Sequence, residues 1–403
     1  MPMRPCWVEI DTRALQGNYR LLESLAAPHS EIMAIEKADA YGHSLPLCAP
    51  AAVRAGARWL GVASVEEGIL ARASVGSASS SGPNPHPRIL VIGGVFPGQA
   101  EALIANGLTA VAWEPWHLRE LEAAAHAAGL APGSLAVHLE IDTGMSRQGA
   151  SPDALAPLLA RFTPASALNL EAVMTHLYAA DEADGRVTAL QLARLDAALG
   201  RISAAGHFAE WLNVGNSAAL LAGQAGAIAE LAARHGMKAL LRPGLALYGL
   251  APAFDPPFTA EPAALAAARA RLKPVLRWKS RVVTVRSVPA GAVAGYNGAF
   301  VAARPTRLAL IAAGYGDGLD RRLGNRFSLL LRGRRAPLAG RISMDQSVLD
   351  VSEIPGVEPG DEVVLIGAQG DQAISAFDHA DACGTIPWEV FTRIAARVPR
   401  IAV

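Results

Sequence analysis

The sequence predicts an α/β protein, an N-terminal (β/α)8 TIM barrel followed by a mainly β C-terminal domain. Three observations predict it. From residue 31 to about 250, short β-rich apolar runs alternate eight times with amphipathic Ala- and Leu-rich segments. Continuous apolar strands alternating with helices mean parallel strands covered by helices, and eight units in roughly 220 residues are the count and length of a closed barrel. Beyond about residue 250 the alternation stops and strand patterns separated by turn signals take over. Finally, 51% of the 403 residues are apolar, enough for a large buried core.

The barrel strands are expected, in order, within EIMAIEKA (31–38), RWLGVAS (58–64), RILVIGG (88–94), LTAVAW (108–113), LAVHLEIDTG (135–144), LNLEAVMTHL (168–177), EWLNVGNSA (210–218) and ALLRPGLALYG (239–249). Helix patterns such as EPWHLRELEAAAHAAG and VTALQLARLDAALGRISAAG lie between them. The polar, low-complexity stretch 74–88 reads as a solvated loop. The Pro- and Ala-rich segment 251–274 reads as a connector with a short helix. Strands follow in VLRWKSRVVTVRSV, RLALIAAGY, SLLLRGRRAPLAG, SVLDVSEI and DEVVLIG, closed by a helix near PWEVFTRIAARV. The expected domains are 10–252 for the barrel and 253–403 for the β domain, with residues 1–9 adding a strand to the latter.

Composition narrows function. Lys and Arg number 36, balanced by 36 Asp and Glu, so no electrostatic grip on nucleic acid or anionic membrane is expected. No apolar stretch reaches the roughly 18 residues that span a bilayer. The opening MPMRPCWVEIDTRAL lacks the apolar core of a secretory signal, and a cytoplasmic location is expected. Cys6, Cys48 and Cys383 are too widely spaced for a disulfide framework or a zinc site, so no metal is expected.

In such a barrel, chemistry gathers at the C-terminal ends of the strands. The first end gives Lys37, Tyr41 and His43, and the fifth gives Asp142, Thr143, Gly144 and Arg147. The sixth gives His176 and Asp181, the seventh Asn216 and Ser217, the eighth Arg242, Gly244 and Tyr248. A lone Lys is usually solvated and a lone His usually a satisfied core residue, but five strand ends agree. An amine, an imidazole, hydroxyls and two guanidinium groups suit a phosphorylated, aromatic, anionic cofactor. DTG is a single copy, whereas an aspartic dyad needs two carboxylates. GYGDG (314–318) lacks the spacing of a dinucleotide loop.

EKADAYGHS resembles the pyridoxal-phosphate attachment motif of alanine racemases, and the similarity continues along the chain. WVEIDTRALQGNYRLL, HLEIDTGMSRQG, MTHLYAADE, NSAAL and RPGLALYGL follow in that family's order. AGYNGAF, GYGDGLDRRL, GRISMDQSVLDV and GTIPWEVFTRIAARVPR complete it in the second domain. The resemblance implies a pyridoxal 5'-phosphate enzyme that interconverts L- and D-alanine, supplies D-alanine for peptidoglycan, and works as a head-to-tail homodimer with shared active sites.

It also implies roles. Lys37 would carry the cofactor and serve as one base, and Tyr296 of the partner subunit would be the base on the opposite face. Phenol is a weak base at its free pKa of about 10, so it needs a cationic neighbourhood, which His176 and Arg242 would supply. Arg242 would also donate to the pyridine nitrogen, since a guanidinium cannot accept a proton there. Tyr41, Asn216, Ser217, Gly244, Leu245 and Trp388 would hold the cofactor and its phosphate. Arg147 would meet the cofactor's phenolic oxygen and the substrate carboxylate, with the backbone amide of the partner's Met344 added. Tyr315, with Asp181, Arg321, Arg341 and Ile386, would line the entrance. Glu140, Asp345 and Asn213 are expected in support.

The chain departs from the family pattern at several places. Glu140 stands where many members carry a carbamylated lysine, and is expected to present its own negative charge to Arg147, directly or through water. Asn213 stands where a histidine usually supports the ring-nitrogen arginine. Trp388 replaces a tyrosine, substituting a donor-only indole. Ser44 and Asp39 are minor. A racemase of broader or serine specificity is the alternative. Decarboxylases and aldolases of the same fold type use an acidic ring-nitrogen partner, against Arg242, and the non-catalytic barrel proteins lack a β domain.

Overall fold

The computed structural model describes residues 4–76 and 86–403. They form two compact units: one of Arg13–Ala40 and Leu45–Lys273, the other of Tyr41–Ser44, Pro274–Val403 and the segment up to Thr12.

Strand β1 (Cys6–Ile10) belongs to the β unit. The other unit is a closed parallel barrel of β2 (Glu31–Ile35), β3 (Trp59–Val62), β4 (Arg88–Val91), β5 (Thr109–Ala112), β6 (Leu135–Glu140), β7 (Leu168–Met174), β8 (Trp211–Asn213) and β9 (Lys238–Leu241). Pairing of β2 with β9, Glu31 opposite Leu240 and Ile32 opposite Leu241, closes the ring. All eight expected runs are strands, and each strand is shorter than its run because the rim turns begin early. β2 ends at Ile35, before Lys37, and β6 at Glu140, before Asp142.

Trp59 meets His138 at 5.6 Å and Trp211 at 5.7 Å between ring centroids. Their strands β3, β6 and β8 are not neighbours in the ring, so these side chains meet inside the barrel. Outside, the helix Arg186–Ala204 buries Gln191, Leu195, Ala198, Leu199 and Ile202, a stripe at three- and four-residue spacing that turns one face to the strands. Of the stretch 74–88, read as a loop, residues 77–85 lie outside the described residues. The helix Val65–Gly76 runs through its start, and β4 begins at its last residue.

In the β unit, the long strand Leu276–Val288 is the organiser. It pairs antiparallel with β1, Cys6 opposite Ser280 and Ile10 opposite Leu276, and with Glu362–Gln369. A register shift between Val282 and Thr284 accompanies its pairing with Thr306–Ile311. β1 also pairs, in parallel, with Arg400–Ala402. The GYGDG segment is a clamp: buried Asp317 accepts from the Gly314 amide at 2.9 Å and from Arg397 at 2.9 Å, and pairs with Arg4. The helix Ala376–Cys383 was not read from the sequence, although Ser375 and Asp378 form the capping box that announces it. The helix expected near PWEVFTRIAARV spans only Pro387–Thr392.

Among the described residues, no helix is long and apolar enough to cross a membrane, and no cluster of His, Cys, Asp or Glu could hold a metal ion. The three cysteines are buried and unbridged.

Candidate active site

Backbone pairing outlasts β2. Ile35 N donates to Pro243 O at 3.3 Å and Glu36 N to Gly61 O at 2.8 Å, which carries the chain to the rim. It then makes a left-handed turn over Lys37–Tyr41, with φ of 54°, 53°, 55° and 55° at Ala38, Asp39, Ala40 and Tyr41. Each such non-glycine residue costs about 1–2 kcal/mol, so four in succession persist only where other contacts hold them. The clamps are visible: Ala40 N donates to Glu36 O at 2.8 Å, Asp39 N to Glu67 Oε1 at 3.2 Å, and Leu45 N to Asp39 Oδ1 at 2.7 Å. Glu67 is itself fixed by the Ala63 amide at 2.8 Å. The strained turn launches Lys37 at a set point on the rim. Gly42 follows at φ 77°, where an added Cβ would lie 2.4 Å from Phe391 O.

The environment of Lys37 disfavours its charge. Burial lowers its pKa, the guanidinium groups of Arg147 and Arg242 lower it further, and Glu67 opposes them. Arg242 is buried and fully engaged on one side. Its Nη1 donates to both Asn213 O and Asn213 Oδ1 at 2.5 Å, its Nη2 to Thr175 O at 2.8 Å and to His176 Nδ1 at 3.3 Å. Burial brings its pKa down to about 10, with Glu140 opposing and Arg147 adding, so it remains a cation at neutral pH. His176 is held neutral: burial, then Arg242, Arg147 and Lys37, push its pKa down to about 3.

Asp142 Oδ1 accepts from the amides of Gly144 at 2.8 Å and Ser146 at 3.1 Å, which shapes the loop bearing Arg147. Buried Glu140 accepts from Gln148 Nε2 at 2.5 Å. Its hydrogen-bond partner is thus the residue after Arg147, while Arg147 and Arg242 act on it through charge, opposing the upward push of burial.

Asn216 caps the helix Ser217–Leu221, accepting from Ala219 N at 3.0 Å. Ser217 Oγ accepts from the Gly244 amide at 2.9 Å and the Ala246 amide at 3.2 Å. Two N–H groups on the oxygen turn the hydroxyl's own proton outward, toward an acceptor such as a phosphate. The Gly244 amide, expected to meet that phosphate itself, is engaged with Ser217. Tyr41 is buried, which raises its pKa.

On the β unit, Tyr296 lies in the turn Tyr296–Gly298 and is 66% exposed. Gly295 backs onto Arg341 and Gly340. The amides of Tyr315 and Gly316 donate to Ser343 O at 2.9 Å and Met344 O at 2.8 Å, which ties the Tyr315 and Met344 loops together. Asp345 pairs with Arg397 at 2.7 Å. Trp388 is half-buried in the first turn of Pro387–Thr392. The expected site residues therefore form two sets, one on the barrel rim and one on the β unit.

Sequence reasoning missed Glu67, Gln148, His138 and Glu171. The last two carried a signal: each is a polar residue in the middle of a mostly apolar barrel strand. As a donor set, a charge-depressed amine, two cationic guanidinium groups, a neutral imidazole and an outward serine hydroxyl fit a phosphorylated aldehyde.

The chain resembles known proteins over nearly its whole length. Residues 10–252 match the family model "Alanine racemase, N-terminal domain", and residues 275–402 match "Alanine racemase, C-terminal domain". The chain is 40% identical to an alanine racemase of Symbiobacterium thermophilum over 400 residues, 99% of this chain and 97% of that one. Its fold is similar to the alanine racemase of Bacillus anthracis with bound L-Ala-P (TM-score 0.84, 30% identity, 100% of this chain and 96% of that one). It is similar also to the alanine racemase of Bartonella henselae with covalently bound pyridoxal phosphate (TM-score 0.79, 26% identity, 99% of each chain).

Proposed function

This chain belongs to the alanine racemase family, and from that premise we propose that it interconverts L- and D-alanine with pyridoxal phosphate and two protein bases, Lys37 of one subunit and Tyr296 of the next. The observation that carries the reading is the depressed basicity of Lys37, a half-buried amine next to two cationic guanidinium groups. A lysine that must bond to an aldehyde and afterwards take a proton has to be neutral for part of the cycle. Pyridoxal phosphate, when bound, supplies the electron sink that acidifies the substrate Cα–H.

The protein's part is position and proton traffic. Lys37 Nζ removes or returns the Cα proton on one face. Tyr296 Oη of the partner subunit does so on the other, which is what makes the outcome inversion. Neutral His176 and cationic Arg242 favour the ionised phenol. Arg242 donates to the ring nitrogen and cannot take up its proton. Asn216, Ser217 and Leu245 hold the phosphate end, where the Gly244 amide keeps the Ser217 hydroxyl proton turned outward. Arg147 and the partner's Met344 amide bind the substrate carboxylate, while Tyr315 borders the entrance. Glu140, Asn213 and Asp345 steady these groups through Gln148, Arg242 and Arg397.

The shared site requires a homodimer. Val293, Tyr296, Val301, Tyr315, Met344 and Ile386, each between 42% and 66% exposed on the β unit, are apolar surface suited to a second copy. The D-alanine would feed peptidoglycan from the cytoplasm.

The test is reconstitution with pyridoxal phosphate, incubation with L-alanine and L-serine separately, and chiral chromatography of the products. Conversion of alanine far above serine supports the reading. Comparable conversion of both would move the protein to a broader racemase, and none from either, despite a bound cofactor, would contradict it.

A further inference from the structure

A buried polar chain runs down the inside of the barrel from Arg242. Asn213 Oδ1 accepts from Arg242 Nη1 at 2.5 Å. A guanidinium only donates, so the amide orientation is forced and Asn213 Nδ2 points away, to His138 Nδ1 at 3.1 Å. His138 Nδ1 must then be the acceptor, and the imidazole proton sits on Nε2, which meets Glu171 Oε2 at 3.1 Å. Glu171 Oε1 takes Arg88 Nη1 at 2.7 Å, at the first residue of β4. Asn213 and His138 are 0% exposed and Glu171 is 8% exposed. Barrel interiors are ordinarily filled by branched apolar side chains, so a four-link polar chain here needs a reason.

One proton arrangement satisfies every link. With the opposite imidazole tautomer, N–H would face N–H at Asn213, and flipping the amide to escape would put its NH2 against Arg242. The tautomer of His138 is therefore coupled to the grip on Arg242.

We infer that His138 and Glu171 are positioning residues for Arg242: Glu171 selects the His138 tautomer, His138 locks the Asn213 amide, and the amide oxygen fixes the guanidinium. Burial also lowers the His138 pKa, in keeping with a neutral ring. The inference rests on the proposed reading of Arg242 as the cation facing the cofactor ring. It gives Asn213 a concrete role, an amide that relays an imidazole one residue further back.

The discriminating variant is Glu171→Gln. Arg88 would claim the glutamine oxygen, leaving the glutamine NH2 against His138 Nε2 and driving the proton to Nδ1. The double variant Arg88→Ala, Glu171→Gln frees the glutamine to present its oxygen to His138 instead. Two readouts are needed. In apoprotein labelled with 15N-histidine, NMR should find the Nε2–H tautomer of His138 in the wild type, Nδ1–H in Glu171→Gln, and Nε2–H again in the double variant. In holoenzyme, Glu171→Gln should lower kcat roughly 10–100-fold, the usual range for such supporting groups, with little change in KM. It should also shift the visible band of the bound cofactor, and the double variant should recover both.

An Nδ1–H tautomer in the wild type would overturn the inference. So would a Glu171→Gln holoenzyme with unchanged kcat and spectrum, or one whose loss the Arg88→Ala change deepens. A wild type that binds no pyridoxal phosphate would sink the proposed function and, with it, the link from Arg242 to a cofactor, while the NMR arm separately judges the wiring.

Discussion

His176 Nδ1 accepts a hydrogen bond from Arg242 Nη2 at 3.3 Å, so the neutral imidazole carries its one proton on Nε2. Its pKa is pushed down to about 3 by burial and then by Arg242, Arg147 and Lys37. The ring can accept from the guanidinium on one side only while it stays uncharged.

This fixes a pH dependence. Below about pH 6.5 the unfolded chain binds a proton at His176 that the folded protein refuses until about pH 3. Folding therefore expels a proton in that window, and stability falls as pH drops through it. His176→Gln should flatten the decline in urea-unfolding midpoint between pH 7 and pH 4.5. Buried His117 and His379, whose pKa values are also lowered by burial, would keep part of the slope. An unchanged slope would mean the imidazole is charged in the folded protein.

Glu36, immediately before Lys37, is a second titration point. It is 0% exposed, neither oxygen has a hydrogen-bond partner among the described residues, and burial, then Asp39, raises its pKa well above the ordinary value. The folded protein keeps the proton that the unfolded chain releases above about pH 4.5, so Glu36 subtracts stability as pH rises. Glu36→Leu should stabilise by about 1–3 kcal/mol at neutral pH, and more at pH 8.5. Chemical denaturation at the two pH values checks this. A destabilised variant would mean the carboxyl makes a favourable contact.

The left-handed turn after Lys37 stores strain that one substitution can release. Ala38 is exposed at φ 54°. Ala38→Gly should raise stability by up to about 1 kcal/mol, because relief of the left-handed penalty outweighs the added freedom of the unfolded chain. Ala38→Val should lower it, since a β-branched residue tolerates that region worst. Thermal melts of the two variants should move in opposite directions.

The barrel was legible because a strand covered on both faces has to be apolar, and eight such runs leave few other ways to close. Its rim was legible because Lys37, Asp142, His176 and Arg242 interrupt those runs near their ends. The turn at Lys37–Tyr41 was not, since of Ala, Asp, Ala and Tyr only Asp leans toward the left-handed region and the conformation depends on Glu67 from another segment. The partner of Glu140 was missed for a similar reason: Arg147 is the obvious counter-charge, but the loop turns Gln148 toward the carboxylate. The chain behind Arg242 draws on β4, β6, β7 and β8, and only the closed ring brings those strands together.

The central claim is that one active site needs Lys37 from one subunit and Tyr296 from the other. Lys37→Ala and Tyr296→Phe, each inactive as a homodimer, would be co-expressed under different tags and the heterodimer purified. One of its two sites would then hold both native residues and the other neither, so it should regain about half the wild-type racemase activity. A heterodimer as inactive as its parents, though intact and able to bind pyridoxal phosphate, would contradict the account, because each site would then draw both bases from a single chain.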